Sequence, residues 1–309
     1  MSEPIPARLN LAIAVLAIAV NLACLWVASH ASAWWVVAVA AVVFSYSNNT
    51  VFSLLHESVH GLFHPHRRIN DGAGVLLAAF FPTISSVQRI SHLGHHRRNR
   101  TDEELYDYYL PHQSWLLKTY WIYCLLTGFY WAIIPVATLW YVLCPWLFRA
   151  RWFQDGPARW WGFRPFVIDI AQAPIRRIWL EGAFSLALQV TVFIALDLNW
   201  IGWLACYWAF GLNWSSVQYS DHAGSPRDVI EGAWNLHFWP GARWAFLNYN
   251  YHLAHHRQPS IPWLYLPRHV RAGDARPSFW RIYLRLWLGA RPAPPGPGPQ
   301  PLTPPSPPS

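Results

Sequence analysis

The chain has 309 residues, 54% of them hydrophobic and only 12% charged, with a formal net charge of +8. Polar side chains this scarce cannot cover the core of a soluble protein, so the composition excludes an ordinary soluble domain and points to a bilayer. The positive charge is almost wholly arginine, Lys118 being the only lysine. No helix-turn-helix or zinc-finger pattern accompanies it, which argues against nucleic acid as a partner and for a basic face meeting anionic lipid.

In chain order, the first apolar stretch, 11–28, follows Arg8 and has no small-residue cleavage pattern behind it, so it is expected to stay as an anchor. With 34–54 it supplies two stretches near the roughly 20 residues that a helix needs to cross a bilayer, which predicts a transmembrane hairpin. Segment 72–87, broken by Pro82, is too short to span and is expected to lie in the interface or dip into it. Segment 115–148 is long and apolar but interrupted by Pro135, and is expected to form a re-entrant hairpin or two short crossings around that proline. Stretches 181–196 and 201–217, joined through 197–199, predict a second hairpin. Neither hairpin link holds a Lys or Arg, whereas Arg67, Arg68, Arg89, Arg97, Arg98, Arg100, Arg149, Arg151, Arg176, Arg177 and Arg227 lie between or beyond the hairpins. The positive-inside rule then places the termini and the long connections in the cytoplasm. Cys24, Cys124, Cys144 and Cys206 all fall within apolar runs and are read as packing residues. Residues 1–291 are expected to form one membrane domain, and 292–309, mostly Pro, Gly and Ser, a disordered tail.

The histidines carry the chemical signal. His56 and His60 stand four apart at the end of the second apolar stretch, so on a helix they share one face and can bind a common metal. His92, His95 and His96 read H-L-G-H-H, and His252, His255 and His256 read H-L-A-H-H. Gln218 and His222 repeat the spacing of four after the last predicted span. Any one of these groups is unremarkable as polar surface; all of them falling on one predicted side, each at or just beyond the end of an apolar run, is not. His30, His64, His66, His112, His237 and His269 lie outside the groups and are read as ordinary packing or surface residues, although His64 extends the His56 and His60 stripe by one turn. Nine imidazoles exceed what one tetrahedral zinc can use, and the thiolates of a structural zinc site are missing, so two metal ions are expected. Imidazole suits iron, copper, nickel and zinc alike, and the residues alone leave the element open. The expected fold class is all-α: a polytopic membrane helical protein whose hairpins are capped by a cytoplasmic helical di-metal domain.

H-E-S-V-H at 56–60, H-L-G-H-H at 92–96 and H-L-A-H-H at 252–256 resemble the three histidine boxes of membrane fatty acid desaturases and related alkyl-chain hydroxylases. Q-Y-S-D-H-A-G-S at 218–225 is similar to that family's additional ligand segment, and P-S-I-P-W-L-Y-L-P at 259–267 is similar to the stretch just beyond its last box. The resemblance covers 52–267. It implies two iron ions held by His56, His60, His92, His95, His96, His222, His252, His255 and His256, with O2 as co-substrate. It also implies a fatty acyl or other lipid substrate among the membrane lipids, and an electron donor such as a ferredoxin or a cytochrome b5-type reductase chain. Gln218 matches an amide position that approaches the metal in relatives. Glu57, Asp102 and Asp221 are expected to accept the outer N–H of ligand imidazoles, as metal-bound histidines require. The implied location is a bacterial inner membrane with the metal site facing the cytoplasm.

The reaction expected first is desaturation; hydroxylation, ketolation and decarboxylation to a 1-alkene share the same hydrogen abstraction and remain alternatives. A rival of another class is a membrane zinc protease, since His56, Glu57 and His60 satisfy H-E-x-x-H with the glutamate as general base. That reading leaves both H-x-x-H-H groups unexplained. A haem carrier would want its histidines facing each other within spans, and a metal transporter would want polar ligands along a path through the membrane. Neither pattern is present.

Overall fold

A computed structural model describes residues 3–303 of the chain. Among these the architecture is all-helical apart from one pair of two-residue strands. Helices α1 (Ala7–His30) and α2 (Trp34–His60) form the first hairpin. At about 1.5 Å per residue, the 27 residues of α2 outrun the hydrocarbon core by roughly 10 Å. Residues 51–59 of its last turns are buried throughout, so this extension lies inside protein and not in open water. Gly61, at φ 77°, ends α2: its N–H returns to the Ser58 carbonyl and the Leu62 N–H to that of Glu57, a left-handed cap only glycine adopts freely. The chain therefore turns before Pro65, and His64 leaves the stripe begun by His56 and His60.

Helices α3 (Arg67–Phe80) and α4 (Ser85–Arg98) meet at 97°. Asn70 fixes them to α2: its amide nitrogen donates to the Ser58 carbonyl, its oxygen accepts from the Phe63 N–H, and Arg89 donates to the same Ser58 carbonyl. Helices α5 (Trp115–Thr127) and α6 (Phe129–Leu143) form a second bent pair, at 94°. The break within 115–148 is at Gly128, not at the expected Pro135, which lies inside α6. Gly128 has φ 83°, and a Cβ there would stand 2.7 Å from the Leu212 backbone nitrogen, so contact with a neighbouring helix sets the bend.

Two short segments, α7 (Arg151–Phe153) and α8 (Arg164–Ala171), lead to the second hairpin of α9 (Ile175–Ala195) and α10 (Trp200–Ser220). Helices α11 (Pro240–Ala245), α12 (His252–Arg257) and α13 (Phe279–Leu286) complete the fold. Helices α1, α2 and α9 are long and apolar enough to cross a membrane, and each bent pair reaches that length when taken together. Helix α10 equals α9 in length but carries polar residues that turn inward; Asn213, for example, donates to the Ser45 hydroxyl of α2. It packs against both α1 and α2, completing a three-helix core.

The outward faces are apolar, with Ile194 73%, Ile201 81% and Trp34 80% exposed, a surface that water would not tolerate over this extent. Asn199, at the tip of the second hairpin, donates to the Ser29 carbonyl near the tip of the first, so both tips are on one side. Trp34 and Trp200 begin α2 and α10 there, as an interfacial aromatic belt requires. The far ends of α2 and α10 carry the histidines.

Beyond Arg291 the expectation of a disordered tail gives way to a docked one as far as residue 303. Strand β1 (Tyr108–Tyr109) pairs in parallel with β2 (Arg291–Pro292), the Ala293 N–H donates to the Tyr109 carbonyl, and the Leu302 N–H to that of Arg97. An extended proline-rich chain makes no hydrogen bonds of its own and can be held by a few such anchors. Residues 304–309, the rest of the predicted tail, lie outside the described residues.

Candidate metal centre

Four elements deliver the nine imidazoles. Helix α2 presents His56 and His60 from successive turns, α4 presents His92, His95 and His96, the turn after α10 presents His222, and α12 presents His252, His255 and His256. Six are buried; His60, His95 and His96 are partly so. The ring nitrogens sort into two groups. In one, His56, His60, His92 and His255 bring ligand atoms within 4.8 Å of one another; in the other, His95, His222, His252 and His256 do so. His96 joins the first, its Nε2 lying 3.0 Å from Nε2 of His92 and 3.0 Å from Nε2 of His255. Each group draws on α4 and α12, and the spacing H-x-x-H-H explains how: residues i and i+4 point to one group and i+3 to the other on α4, so a single helix serves both.

A neutral imidazole has one N–H, and here nine rings turn nitrogens toward each other. Nε2 of His222 is 3.1 Å from that of His95 and 3.0 Å from that of His252, while the buried Nε2 atoms of His56 and His60 have no hydrogen-bond partner among the described residues. Each buried nitrogen left unpaired costs about 1–3 kcal/mol. Burial, and then the neighbouring imidazoles, hold His222, His252, His255 and His256 well below the ordinary histidine range, so they are neutral lone-pair donors. The donor set therefore fits two metal ions, one per group.

The rings are braced from behind. His222 Nδ1 donates to the Gly232 carbonyl at 2.8 Å, which leaves Nε2 free to face the centre. Glu57 stands 3.9 Å from His56 Nδ1, and its other oxygen accepts the Trp263 N–H at 3.1 Å, joining α2 to the segment after the last histidines. Trp263 in turn donates to Asn10 of α1, whose amide donates to the carbonyls of Leu62 and Phe63. His95 Nδ1 faces Glu104 at 3.5 Å. Of the predicted acceptors, Glu57 is thus brought behind a ring, whereas Asp102 is not: it is 48% exposed and pairs with Arg227. Asp221 comes to the cluster from another direction, facing Nε2 atoms. Gln218 reaches the rim, where its side-chain oxygen is 3.4 Å from the Tyr249 hydroxyl. Sequence reasoning missed Glu104, two residues from the acid it chose, as well as Tyr249 and the Gly232 carbonyl. His30 packs on Trp26, His64 accepts from the His66 N–H, and His269 lies near Glu3, all away from the cluster.

A cavity of about 510 Å³ opens onto His92, His95, His222 and His252. It runs between α4, α6, α8 and α10 to Phe148 and Phe166, and its walls are mostly aliphatic and aromatic, with Gln88, Ser91, Arg98 and Glu104 among the few polar groups. Such a slot reads a ligand by shape and apolar contact.

An all-helical scaffold with membrane-crossing helices, two imidazole groups at one end that could each hold a metal ion and an apolar slot leading to them fits the class of metal-dependent membrane enzymes. The family described as fatty acid desaturase matches residues 32–287, and the chain belongs to it. Membership makes it an oxidoreductase of desaturase or hydroxylase type, with a membrane setting and a lipid or acyl substrate. No curated protein matches the sequence.

Proposed function

We propose that this chain is an O2-dependent di-iron oxidase that desaturates a long-chain fatty acyl lipid. The observation that supports it most is that an apolar cavity of about 510 Å³ is lined by histidines of both imidazole groups. His56, His60, His92, His96 and His255 would hold one iron, and His95, His222, His252 and His256 the other. Two bound iron ions would activate O2, the oxidant that breaking an unactivated C–H bond demands, which redox-inert zinc would not. The chain's own residues do the rest. The aromatic and aliphatic walls desolvate an alkyl chain and hold one methylene near the rings, which converts recognition into positional selectivity. Glu104, Glu57 and the Gly232 carbonyl fix the ligand rings, and the buried setting keeps water from the oxidant.

Glu57 also weakens the zinc-protease reading. A general base must reach a metal-bound water, whereas Glu57 lies behind His56 and is engaged by the Trp263 N–H. The arginine distribution and the shared side of the two hairpin tips support a cytoplasmic site, in a bacterial inner membrane, facing an electron donor such as a ferredoxin or a cytochrome b5-type chain.

The test is expression with a reductase chain, followed by metal analysis of the purified protein and mass spectrometry of lipids and volatile hydrocarbons, beside a His96→Ala control. Two iron ions per chain and a new double bond that the control lacks are the expected result. One zinc per chain, or lipids identical in both strains, would overturn the proposal.

A further inference from the structure

Nine imidazole ligands bring no negative charge, yet two ferrous ions would place four positive charges in a largely buried site. A buried charge without a counter-charge is costly, so the carboxylates near the rings matter. Glu57 and Glu104 stand behind His56 and His95, on the Nδ1 side. Asp221 differs. It is fully buried, and neither carboxylate oxygen has a hydrogen-bond donor among the described residues. Its Oδ2 is 3.5 Å from His252 Nε2 and its Oδ1 is 3.8 Å from His222 Nε2, the nitrogens that turn toward the second group. The side chain is thus aimed at the place where a cation would sit, not at the backs of the rings. The two groups are also unequal: the first has a fifth imidazole in His96, the second has four.

We propose that Asp221 is a carboxylate ligand of the metal held by His95, His222, His252 and His256. This rests on the dinuclear reading above. The pair is then chemically asymmetric, with an all-imidazole centre beside one that carries an anionic oxygen donor. A hard carboxylate favours the higher oxidation state of its iron, so the centre containing Asp221 is the easier of the two to oxidise.

The proposal is tested on the full-length protein in detergent, loaded with 57Fe, as wild type, Asp221→Asn, Asp221→Glu and the surface control Asp102→Asn. Wild type is expected to hold two iron ions per chain and to show two distinct ferrous Mössbauer doublets. Asp221→Asn is expected to change one doublet and leave the other in place, and to keep one iron per chain after a chelator challenge that leaves wild type with two. Asp221→Glu restores part of the difference, and Asp102→Asn has none. The metal-free proteins give a second readout: Asp221→Asn keeps the size of the side chain, so it melts close to metal-free wild type, but below it once both are loaded. Unchanged doublets and full iron retention in Asp221→Asn would overturn the ligand role while leaving the dinuclear reading intact. Wild type with fewer than two iron ions would overturn that reading and the ligand role with it.

Discussion

Arg100 is fully buried, and among the described residues its only carboxylate partner is Asp107. Around this pair a network closes: the guanidinium also donates to the Tyr219 hydroxyl and the Ser225 carbonyl, both at 3.0 Å; Tyr219 donates to Asp107 at 2.7 Å; and the Gly224 N–H donates to the other Asp107 oxygen at 2.7 Å. Tyr219, Gly224 and Ser225 flank His222, so the network holds the turn that presents this ligand. Replacing Asp107 with alanine strands a buried guanidinium and two further donors, the Tyr219 hydroxyl and the Gly224 N–H. Breaking such a pair typically costs about 3–5 kcal/mol. At about 2 °C per kcal/mol for a chain of this size, the metal-free protein should melt roughly 6–10 °C lower. Asp107→Asn keeps acceptor capacity and should lose less, and Arg100→Met combined with Asp107→Leu, which removes both charges, should recover most of the loss. Melting is followed by tryptophan fluorescence in detergent, with iron content measured on the same samples. An Asp107→Ala protein melting with Asp155→Ala, which breaks the exposed Arg164 pair, would refute the reasoning.

Glu104→Gln weakens the acceptor behind His95 Nδ1, and a loss of about 10–100-fold in metal affinity is expected from chelator competition, against none for Asp102→Asn. Gly128→Val forces a β-branched residue to positive φ and drives its Cβ into the α10 backbone, so the α5–α6 bend should fail and the folded yield should collapse, as read by gel filtration. Burial and neighbouring imidazoles depress the folded-state values of His222, His252, His255 and His256, so the unfolded chain takes up protons first as pH falls. Stability from these groups is complete above the ordinary histidine value of about 6.5 and is lost on descending from it through the lower folded-state values. The melting temperature of the metal-free protein should therefore be level above about pH 7 and fall below it; a melting curve independent of pH from about 7 to 5 would contradict the neutral-ring argument.

The grouping of the histidines was legible because helical spacing is local: three or four residues apart means one face, wherever the helix ends up. The hairpins were legible for the same reason, apolar length being a property of consecutive residues. What escaped depended on distant neighbours. Pro135 is the more visible interruption of 115–148, yet the bend is at Gly128, because α10 approaches there and only glycine leaves room. Asp102 and Glu104 look alike in sequence, and the fold of their turn sends one to Arg227 and the other to His95. The Gly232 carbonyl that braces His222 has no side-chain signature at all. Docking of 291–303 likewise uses backbone groups, which composition does not report.

The chain of contacts from Asn10 through Trp263 to Glu57 has a bearing on biosynthesis. Residues supplied by the first and final thirds of the polypeptide must both be present before either cage is complete, since both need α12. A ribosome-bound intermediate that has threaded α1 and α2 displays His56 and His60 alone, too few donors to complete either group. On the dinuclear reading, loading is accordingly a post-translational event, and metal capture is a checkpoint on whether the last segment has found its seat.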